Sequence, residues 1–262
     1  MSDIEKIEKM FAEERRDKIL EILGKENRVN VSELAAIFNI GEATIRRDLD
    51  DLEERGFLRR THGGAILAEN ISFETSIKER ESWNREAKIR IATFVSQLVK
   101  SGETLMIDGG TTTLEVARLL RTKRNLVVIT NAPIIAEEMV GYESSTIILT
   151  GGELNEKTLV LVGPIAEQTI HQFRADRAIL GMSSIVPEDG FFTANIYEAT
   201  IKRTFMECAK EVIIVMDSSK IGKISTSFIS NLSLVNKLVI DKGISEENIQ
   251  KIERFGIEII VV

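Results

Sequence analysis

The sequence predicts an α/β protein: a small N-terminal winged helix-turn-helix joined to a larger domain built on a mostly parallel sheet. Three observations predict this fold class. Amphipathic helical periodicity early in the chain is interrupted by a tight turn at Asn39-Ile40-Gly41. Apolar runs rich in Val and Ile then alternate with helical segments, which is typical of parallel strands covered on both faces. The 262 residues suffice for two unequal domains.

Composition excludes several classes of protein. No apolar run reaches the roughly 20 residues of a membrane span, and the charged N-terminus lacks the apolar core of a signal peptide. Cys208 is the only cysteine, so an intrachain disulfide is excluded and a reducing, cytoplasmic location is expected. His62 and His171 are the only histidines, which makes a closed zinc site improbable. An all-oxygen Mg²⁺ or Ca²⁺ site stays open, although no EF-hand spacing occurs.

The net charge of −7 is an objection to nucleic-acid binding. Even residues 12–66 contain 10 Lys and Arg against 12 Asp and Glu, a net charge of −2. Acidic side chains farther from a phosphate than the Debye length, about 8 Å, are partly screened. Nucleic-acid binding therefore requires that the basic side chains converge on one face.

Helical periodicity predicts three N-terminal helices, over residues 12–25, 32–38 and 42–55. Residues 24–30 read as a break, and Ser32 is expected to cap the second helix. Asn39 can adopt the left-handed conformation that the turn between the second and third helices needs.

The third helix has one apolar stripe and one basic end. At about 100° per residue, Ile45, Leu49 and Leu52 share a face that packs inward. The first two turns expose Ala43, Thr44, Arg46 and Arg47, whereas the acidic residues concentrate farther along the helix. A recognition helix inserts its N-terminal end into the major groove. There an arginine can bind guanine in a bidentate manner, worth about 1–3 kcal/mol of discrimination.

Residues 57–66 predict a small hairpin, or wing, beyond a helix end at Gly56. Gly63-Gly64 would supply the positive φ of a two-residue turn, and the neighbouring basic side chains would contact the DNA backbone. The alternative is an interaction domain whose arginines are merely solvated. The predicted DNA-contacting residues are Ser32, Ala43, Thr44, Arg46, Arg47, Arg59, Arg60 and His62.

A long motif runs through this region: Glu42-Ala43-Thr44-Ile45-Arg46-Arg47-Asp48-Leu49, then Leu52-Glu53, Gly56 and Arg60-Thr61-His62-Gly63-Gly64-Ala65. It closely resembles the DNA-binding domain of DeoR-type bacterial repressors. The resemblance implies a winged helix that binds double-stranded operator DNA. The motif departs from the family at Gly41, where Ser or Thr is usual, and Gly is a slightly weaker N-cap.

The remainder of the chain predicts a hinge and an α/β domain. We expect a DNA-binding domain over 1–66, a linker over 67–82 and an effector-sensing domain over 83–262. A long helix should run from Asn84 to Lys100. The predicted strands are Thr104–Ile107, Leu126–Thr130, Thr146–Thr150, Arg177–Leu180, Val212–Met216, Lys237–Ile240 and Glu258–Val262.

Unusual residues cluster just after these strands, where parallel sheets bind ligands. A glycine-threonine loop that opens a helix can hold phosphate through backbone N–H groups and hydroxyls. The alternative is a purely structural role, in which these residues only cap helices. No GxGxxG or Walker A motif occurs, so no nucleotide cofactor is indicated. The strand-end residues predicted to bind a phosphorylated, polyhydroxylated effector are Asp108, Gly109, Gly110, Thr111, Thr112, Thr113, Asn131, Thr150, Gly151, Gly152, Gly181 and Lys220.

The second half also resembles the DeoR-type sensor domain, at Asp108–Thr113, Asn131-Ala132, Thr150-Gly151-Gly152, Val162-Gly163-Pro164, Glu198-Ala199, Lys202 and Asp217-Ser218-Ser219-Lys220. That domain is akin to ribose-5-phosphate isomerase and glucosamine-6-phosphate deaminase. The resemblance implies that the glycine-threonine loop holds phosphate and that Lys220 lies at the ligand. It also adds Glu198 and Lys202 to the effector site, with Glu198 near an isomerase glutamate.

An isomerase needs carboxylates after its central strand, and Gly181-Met182-Ser183-Ser184 has none. We therefore expect no catalytic residues and a repressor of a carbohydrate catabolism operon, relieved by a phosphorylated sugar. One alternative is a sugar-phosphate isomerase or deaminase with an appended winged helix, and Glu198 could serve as its base. Another is a scaffold without a ligand. A short half-site favours a homodimer or homotetramer.

Overall fold

The computed structural model describes residues 12–26, 28–54, 57–67, 77–141, 145–223 and 225–262. The chain divides into two compact units, with the boundary between Phe73 and Glu74. The predicted helix end at Gly56 and most of the predicted linker lie outside the described residues. None of the helices in the described ranges has the length and apolar character needed to cross a membrane.

The N-terminal unit combines three helices with a small antiparallel sheet. The helices are α1 (Ala12–Glu26), α2 (Val31–Phe38) and α3 (Glu42–Glu54), and the strands are β1 (Arg28–Asn30), β2 (Leu58–Thr61) and β3 (Gly64–Leu67). The strand order is β1-β3-β2. Ile45, Leu49 and Leu52 are at most 1% exposed, which confirms the predicted apolar stripe of the third helix.

Two details at the start of α2 differ from the prediction. Residues 28–30 form β1, a strand too short to leave a periodic pattern, where we expected a break. Asn30, not Ser32, caps α2, because the Asn30 Oδ1 accepts a hydrogen bond from the Ser32 N–H at 3.1 Å. The turn after α2 agrees with the prediction, since Asn39 has φ 51° and ψ 45°.

The wing turn lies one residue earlier than predicted. Thr61 pairs with Gly64, so His62 and Gly63 form the turn and Gly64 begins β3. Neither Gly63 nor Gly64 has a positive φ, so the predicted conformational reason for the two glycines is wrong. At Gly64 the reason is space, because a Cβ atom there would lie 1.9 Å from the Val29 carbonyl oxygen.

The second unit contains seven further helices and twelve further strands among its described residues. The helices are α4 (Ile77–Ser82), α5 (Arg85–Leu98), α6 (Thr111–Leu120), α7 (Pro133–Met139), α8 (Pro164–His171), α9 (Ile196–Glu207) and α10 (Glu246–Glu253). The strands are β4 (Thr104–Ile107), β5 (Val127–Thr130), β6 (Thr146–Leu149), β7 (Glu153–Asn155), β8 (Val160–Val162), β9 (Ala175–Gly181), β10 (Ser184–Val186), β11 (Gly190–Thr193), β12 (Ala209–Val215), β13 (Ser227–Ser230), β14 (Lys237–Ile240) and β15 (Glu258–Val261).

Seven of these strands form one sheet in the order β15-β14-β12-β9-β4-β5-β6, and every neighbouring pair is parallel. They are the seven strands that the sequence predicts. The apolar residues of β4 and β9 are at most 1% exposed, as expected for strands covered on both faces of the sheet. The carboxyl ends of these strands therefore meet at one edge, which is where ligands bind in such sheets.

Five short strands among the described residues of the second unit lie outside the large sheet. β7 and β8 form a hairpin, and β10, β11 and β13 form a separate antiparallel sheet. None of these five strands was predicted; each has only three or four residues, and all but β8 lack the continuous apolar run that marks the strands of the large sheet.

The predicted linker is partly helical. Ile77–Ser82 form α4, and Ile77 is 4% exposed, so this end of the predicted hinge is packed into the second unit. The long helix predicted from Asn84 to Lys100 is observed as α5, with Asn84 as its N-cap in the left-handed conformation.

Candidate nucleic-acid interface and candidate effector site

The exposed face of α3 carries the predicted recognition residues. Ala43, Arg46 and Arg47 are exposed and Thr44 is half-buried, opposite the apolar stripe. Arg46 pairs with Glu42 one turn earlier, at 3.1 Å. Within the described part of the chain, Arg47 makes no hydrogen bond or ion pair, so its guanidinium is available to a ligand. This arrangement can present a cation and a hydroxyl to a groove of DNA.

The acidic residues of α3 are engaged by other cations. Asp48 is 2% exposed and accepts hydrogen bonds from the Arg15 Nε at 2.6 Å and the Arg16 Nε at 3.2 Å. Asp51 pairs with Arg16 at 3.1 Å, and Asp50 pairs with Arg60. Asp48, Asp50 and Asp51 are thus paired with cations of the same unit, which weakens the local field of these three carboxylates and leaves the net charge of the unit unchanged.

Arg60 has a structural position that the sequence did not indicate. Its Nη1 donates to the Arg46 carbonyl at 3.0 Å and pairs with Asp50, while its Nε donates to the Gly64 carbonyl at 3.3 Å. With a side chain 19% exposed, Arg60 fastens the wing to α3 and offers little to a phosphate.

The other predicted DNA contacts also include both uncommitted side chains and side chains already engaged within the protein. Arg59 and His62 are exposed on β2 and in the wing turn, and Arg59 makes no ion pair with any residue that the structure describes. Ser32 is exposed, but its hydroxyl donates to Asn30 Oδ1 at 2.9 Å. Arg47 and Arg59 are therefore the predicted basic side chains least committed to protein contacts.

A buried ion pair occupies the centre of the carboxyl edge of the large sheet. Asp108, directly after β4, pairs with Lys202 of α9, and the two side chains are 1% and 8% exposed. Gly181 at the end of β9 joins both, because its N–H donates to Asp108 Oδ1 at 2.8 Å and its carbonyl accepts from Lys202 Nζ at 2.8 Å. Burial raises the pKa of Asp108, while the ammonium and the Gly181 N–H oppose that rise.

The glycine-threonine loop leads from this pair into α6. Gly110 is the N-cap, and Thr111, Thr112 and Thr113 form the first turn, all at most 7% exposed. The Thr113 hydroxyl donates to the Gly110 carbonyl at 3.0 Å. The Thr112 hydroxyl is buried without a partner. A helix N-terminus with an unsatisfied hydroxyl is suited to an anion.

Asn131 and Gly109 close one side of a cleft beside the pair. Asn131 Oδ1 accepts from the Gly109 N–H at 3.2 Å, and its Nδ2 donates to the Leu161 carbonyl at 3.1 Å. Gly109 has no room for a side chain, because a Cβ there would lie 2.1 Å from Val160 Cγ1. The cleft is small and open to solvent, and it is lined by Asp108, Gly109, Asn131, Val160, Glu198, Ile201 and Lys202.

Glu198 lies one turn before Lys202 on the same face of α9. Its Oε1 accepts a hydrogen bond from the Thr158 Oγ1 at 2.5 Å. Thr158 belongs to the β7–β8 hairpin, so this bond joins the hairpin to the cleft. Thr158 was missed by the sequence analysis, and no local pattern marks it.

Thr150, Gly151 and Gly152 are not among the residues that line the cleft. Gly151 and Gly152 have φ values of 71° and 112°, which favour glycine. A Cβ at Gly152 would lie 2.5 Å from the Val162 carbonyl oxygen, so this glycine permits close packing. Gly151 and Gly152 thus shape a bend in the chain, a role that was not part of the predicted ligand contact.

Lys220 lies in a second group of polar residues at the same edge. It pairs with Asp217 at 3.7 Å, and Asp217 also accepts from Asn84 Nδ2 at 3.0 Å. Burial lowers the pKa of Lys220. Although burial opposes it, Lys220 together with hydrogen bonds from Ser219 and Asn84 lowers the pKa of Asp217.

Lys88 is a member of this group that the sequence analysis missed. It is 2% exposed on α5, and its Nζ donates to the Arg80 carbonyl. Burial, and then the charge of Lys220, lower its pKa to about 8. Lys88 falls on the apolar stripe of α5, in register with Ile91 and Val95, and a lysine on such a stripe is the signal that could have identified it.

Three buried or half-buried lysines, a helix N-terminus and two aspartates thus converge on one edge of the sheet. An anion that approaches Lys88 and Lys220, whose pKa values are lowered by burial, would stabilise their ammonium groups. No group of three or more His, Cys, Asp or Glu side chains in the described ranges could hold a metal ion.

Comparison with known proteins gives matches over both units. The model of the DeoR-like helix-turn-helix domain matches residues 15–70, and that of the DeoR C terminal sensor domain matches residues 83–242. The transcriptional repressor AccR of Agrobacterium fabrum is 39% identical over 88% of this chain and 90% of its own length. The glycerol-3-phosphate regulon repressor of Escherichia coli K12 is 34% identical over 87% of this chain and 90% of its own. Among solved structures, ribose 5-phosphate isomerase A of Methanocaldococcus jannaschii overlaps 53% of this chain and 55% of its own, with 14% identity and a TM-score of 0.39.

Proposed function

This chain belongs to the DeoR family of transcriptional regulators, and on that premise we propose that it represses a carbohydrate catabolism operon until a phosphorylated sugar binds its second unit. The observation that carries the proposal is the convergence of Lys88, Lys202 and Lys220 with the N-terminus of α6 at one sheet edge. The name of the glycerol-3-phosphate regulon repressor supports the same class of effector for this chain.

An anion would complete the chemistry of this edge. Lys88 makes no ion pair with a carboxylate among the described residues, and the Thr112 hydroxyl has no partner. Burying such groups unpaired is unfavourable, and a phosphate bound between a helix N-terminus and ammonium groups satisfies both. Hydroxyl groups of a sugar could then meet Glu198 and Asn131 in the adjoining cleft.

In the N-terminal unit, Thr44, Arg46, Arg47, Arg59 and His62 are the proposed DNA contacts. All are on α3 or the wing, and among these five residues Arg47 and Arg59 are exposed cations that make no ion pair in the described ranges. Arg60 would act by holding the wing beside α3. One such unit reads a short half-site, so we propose a cytoplasmic homodimer or homotetramer that presents two half-sites about 34 Å apart, or at a multiple of that spacing.

The chain is a regulator and not an enzyme, as the family assignment indicates. The loop 181–184 provides no carboxylate, and Asp108 is committed to Lys202 and Gly181. Incubating the protein with pentose and hexose phosphates and recording NMR spectra tests this directly, because steady turnover would contradict it.

Selection of a duplex from random DNA, followed by fluorescence anisotropy, tests the DNA contacts. Arg47→Ala should weaken binding of the selected duplex about 10- to 100-fold, as expected for loss of one specific arginine contact. Lys18→Ala removes an equally exposed charge from α1 and should leave affinity near the parental value. Equal losses in the two variants would contradict the assignment of α3 as the recognition helix.

A thermal-shift screen of phosphorylated sugars and polyols tests the effector site. A ligand at 100 times its Kd should stabilise the protein by about 2.7 kcal/mol. Lys220→Ala should abolish that shift, whereas Lys210→Ala, at the exposed amino end of β12, should preserve it. Sugar-phosphate stabilisation that survives Lys220→Ala would place the effector elsewhere.

A further inference from the structure

The helix α4 is the first element of the second unit that the structure describes. Along the chain it follows β3 of the N-terminal unit after residues 68–76. Six residues are too few to form a stable helix alone. The position of α4 therefore depends on its contacts with the rest of the second unit.

Among the contacts that fasten α4, three lead toward the candidate effector site. The Ile77 N–H donates to the Lys157 carbonyl at 3.1 Å, in the hairpin whose next residue hydrogen-bonds Glu198. Glu81 pairs with Arg118 of α6 at 3.2 Å. The Lys88 Nζ donates to the Arg80 carbonyl.

The bond from Lys88 is the one that an anion can break. A carbonyl at the C-terminal end of a short helix carries a partial negative charge, which attracts the ammonium. A phosphate carries a full charge and several acceptor oxygens, so it is a stronger partner for the same ammonium. Lys88 is close enough to Lys220, Asp217, Arg80 and Glu115 for their charges to affect it, and therefore also for the charge of an anion beside Lys220.

We propose that Lys88 is a coupling residue that holds α4 when the effector site is empty and turns to the anion when it is occupied. The proposal rests on the proposed function, since it assumes an anionic effector at this edge. It adds a route by which binding reaches the chain segment leading to the DNA-binding unit. The effector and α4 compete for the same Lys88 ammonium. By linkage, docking of α4 lowers the affinity for effector by the same factor by which bound effector lowers the docking equilibrium of α4.

Hydrogen–deuterium exchange on the full-length protein, with inorganic phosphate as the probe, tests this coupling. Phosphate should accelerate amide exchange over residues 77–84 at least about fivefold, the low end of typical coupling factors. It should also slow exchange over residues 109–113, where the anion binds. The two segments thus report occupancy and coupling separately.

Two variants distinguish a coupling residue from a simple support. Lys88→Met keeps the volume of the side chain, so the fold should persist, but α4 should exchange rapidly without phosphate and show no further acceleration. Glu81→Gln removes the ion pair with Arg118 and leaves Lys88 in place. Its baseline exchange should rise, yet phosphate should still accelerate it.

Failure of the coupling and failure of the proposed function would give different exchange patterns. If phosphate protects residues 109–113 but leaves residues 77–84 unchanged or slows them, the coupling is wrong and the effector site stands. If neither phosphate nor any phosphorylated sugar protects residues 109–113, the proposed function fails and the coupling fails with it. Retention of the phosphate response in Lys88→Met would also overturn the role of Lys88.

Discussion

Replacing Lys202 by methionine would isolate the buried ion pair at the centre of the second unit. Methionine has a volume similar to the lysine stem but no charge. Asp108, 1% exposed, would then keep the hydrogen bond from the Gly181 N–H but lose its counter-ion. Removing one partner of a buried pair typically costs about 3–5 kcal/mol, because the remaining charge stays desolvated.

Protonation of Asp108 sets an upper limit on the part of this loss that comes from its buried charge. Burial already raises the pKa of Asp108 above its usual value of 3.8, and loss of the Lys202 ammonium raises it further. At pH 7, folding with a neutral Asp108 costs about 1.36 kcal/mol for each of about 3.2 pH units, or about 4.4 kcal/mol in all. At pH 5 the same limit is about 1.6 kcal/mol. The free energy of unfolding should therefore fall as pH rises, since the native state binds the proton more tightly than the unfolded state.

Urea unfolding followed by fluorescence of Trp83 provides the assay, because it is the only tryptophan and belongs to the second unit. The double variant Asp108→Asn with Lys202→Met removes both charges and should recover most of the lost stability. A loss below about 1 kcal/mol at pH 7, or a loss independent of pH between 5 and 7, would refute the description of this pair as desolvated and coupled.

Three further substitutions probe stability elsewhere. Asp48→Asn should cost about 3 kcal/mol because it removes the buried carboxylate charge that Arg15 and Arg16 both contact. Asp50→Asn changes an exposed carboxylate and should cost at most about 1 kcal/mol; equal losses measured by circular dichroism would contradict this. Gly64→Ala should destabilise the wing by about 1–3 kcal/mol, because its Cβ would meet a backbone oxygen; Gly63→Ala, with open space around it, is the control in the same thermal melts. Arg177→Met should cost about 1–2 kcal/mol and less in high salt, since it joins Glu103 and Glu211 at the amino edge of the sheet; a salt-independent loss would point to packing instead.

Much of the fold could be predicted because the relevant signals are local. The apolar stripe of α3 and the left-handed Asn39 depend on residues within one or two turns. The seven sheet strands are buried on both faces, so each is a continuous apolar run. The prediction failed at β1, β7 and β8, where strands of three residues contain too few positions to show a period.

The residues of the candidate sites could be predicted from the sequence, but the contacts that each residue makes could not. The strand ends placed Asp108 and Gly181 at one edge, the family resemblance added Lys202 to the effector site, and the structure brings the three into direct contact. It did not indicate that Arg60 is engaged by α3, or that Lys88 turns from α5 toward the same edge. Both depend on carbonyl and carboxylate groups that are distant along the chain.

The sequence by itself determined the alternation of helices and strands, the apolar stripe of α3 and the set of strand ends at one edge of the sheet. Only the tertiary structure decided which charges neutralise one another and which stay available. The physical reason is that a charge interacts through space with whatever the fold brings near it, whereas periodicity and capping act through neighbours along the chain. Arg47 and Arg60 are both basic residues of the same motif, and only their surroundings in the folded unit make one available and the other structural.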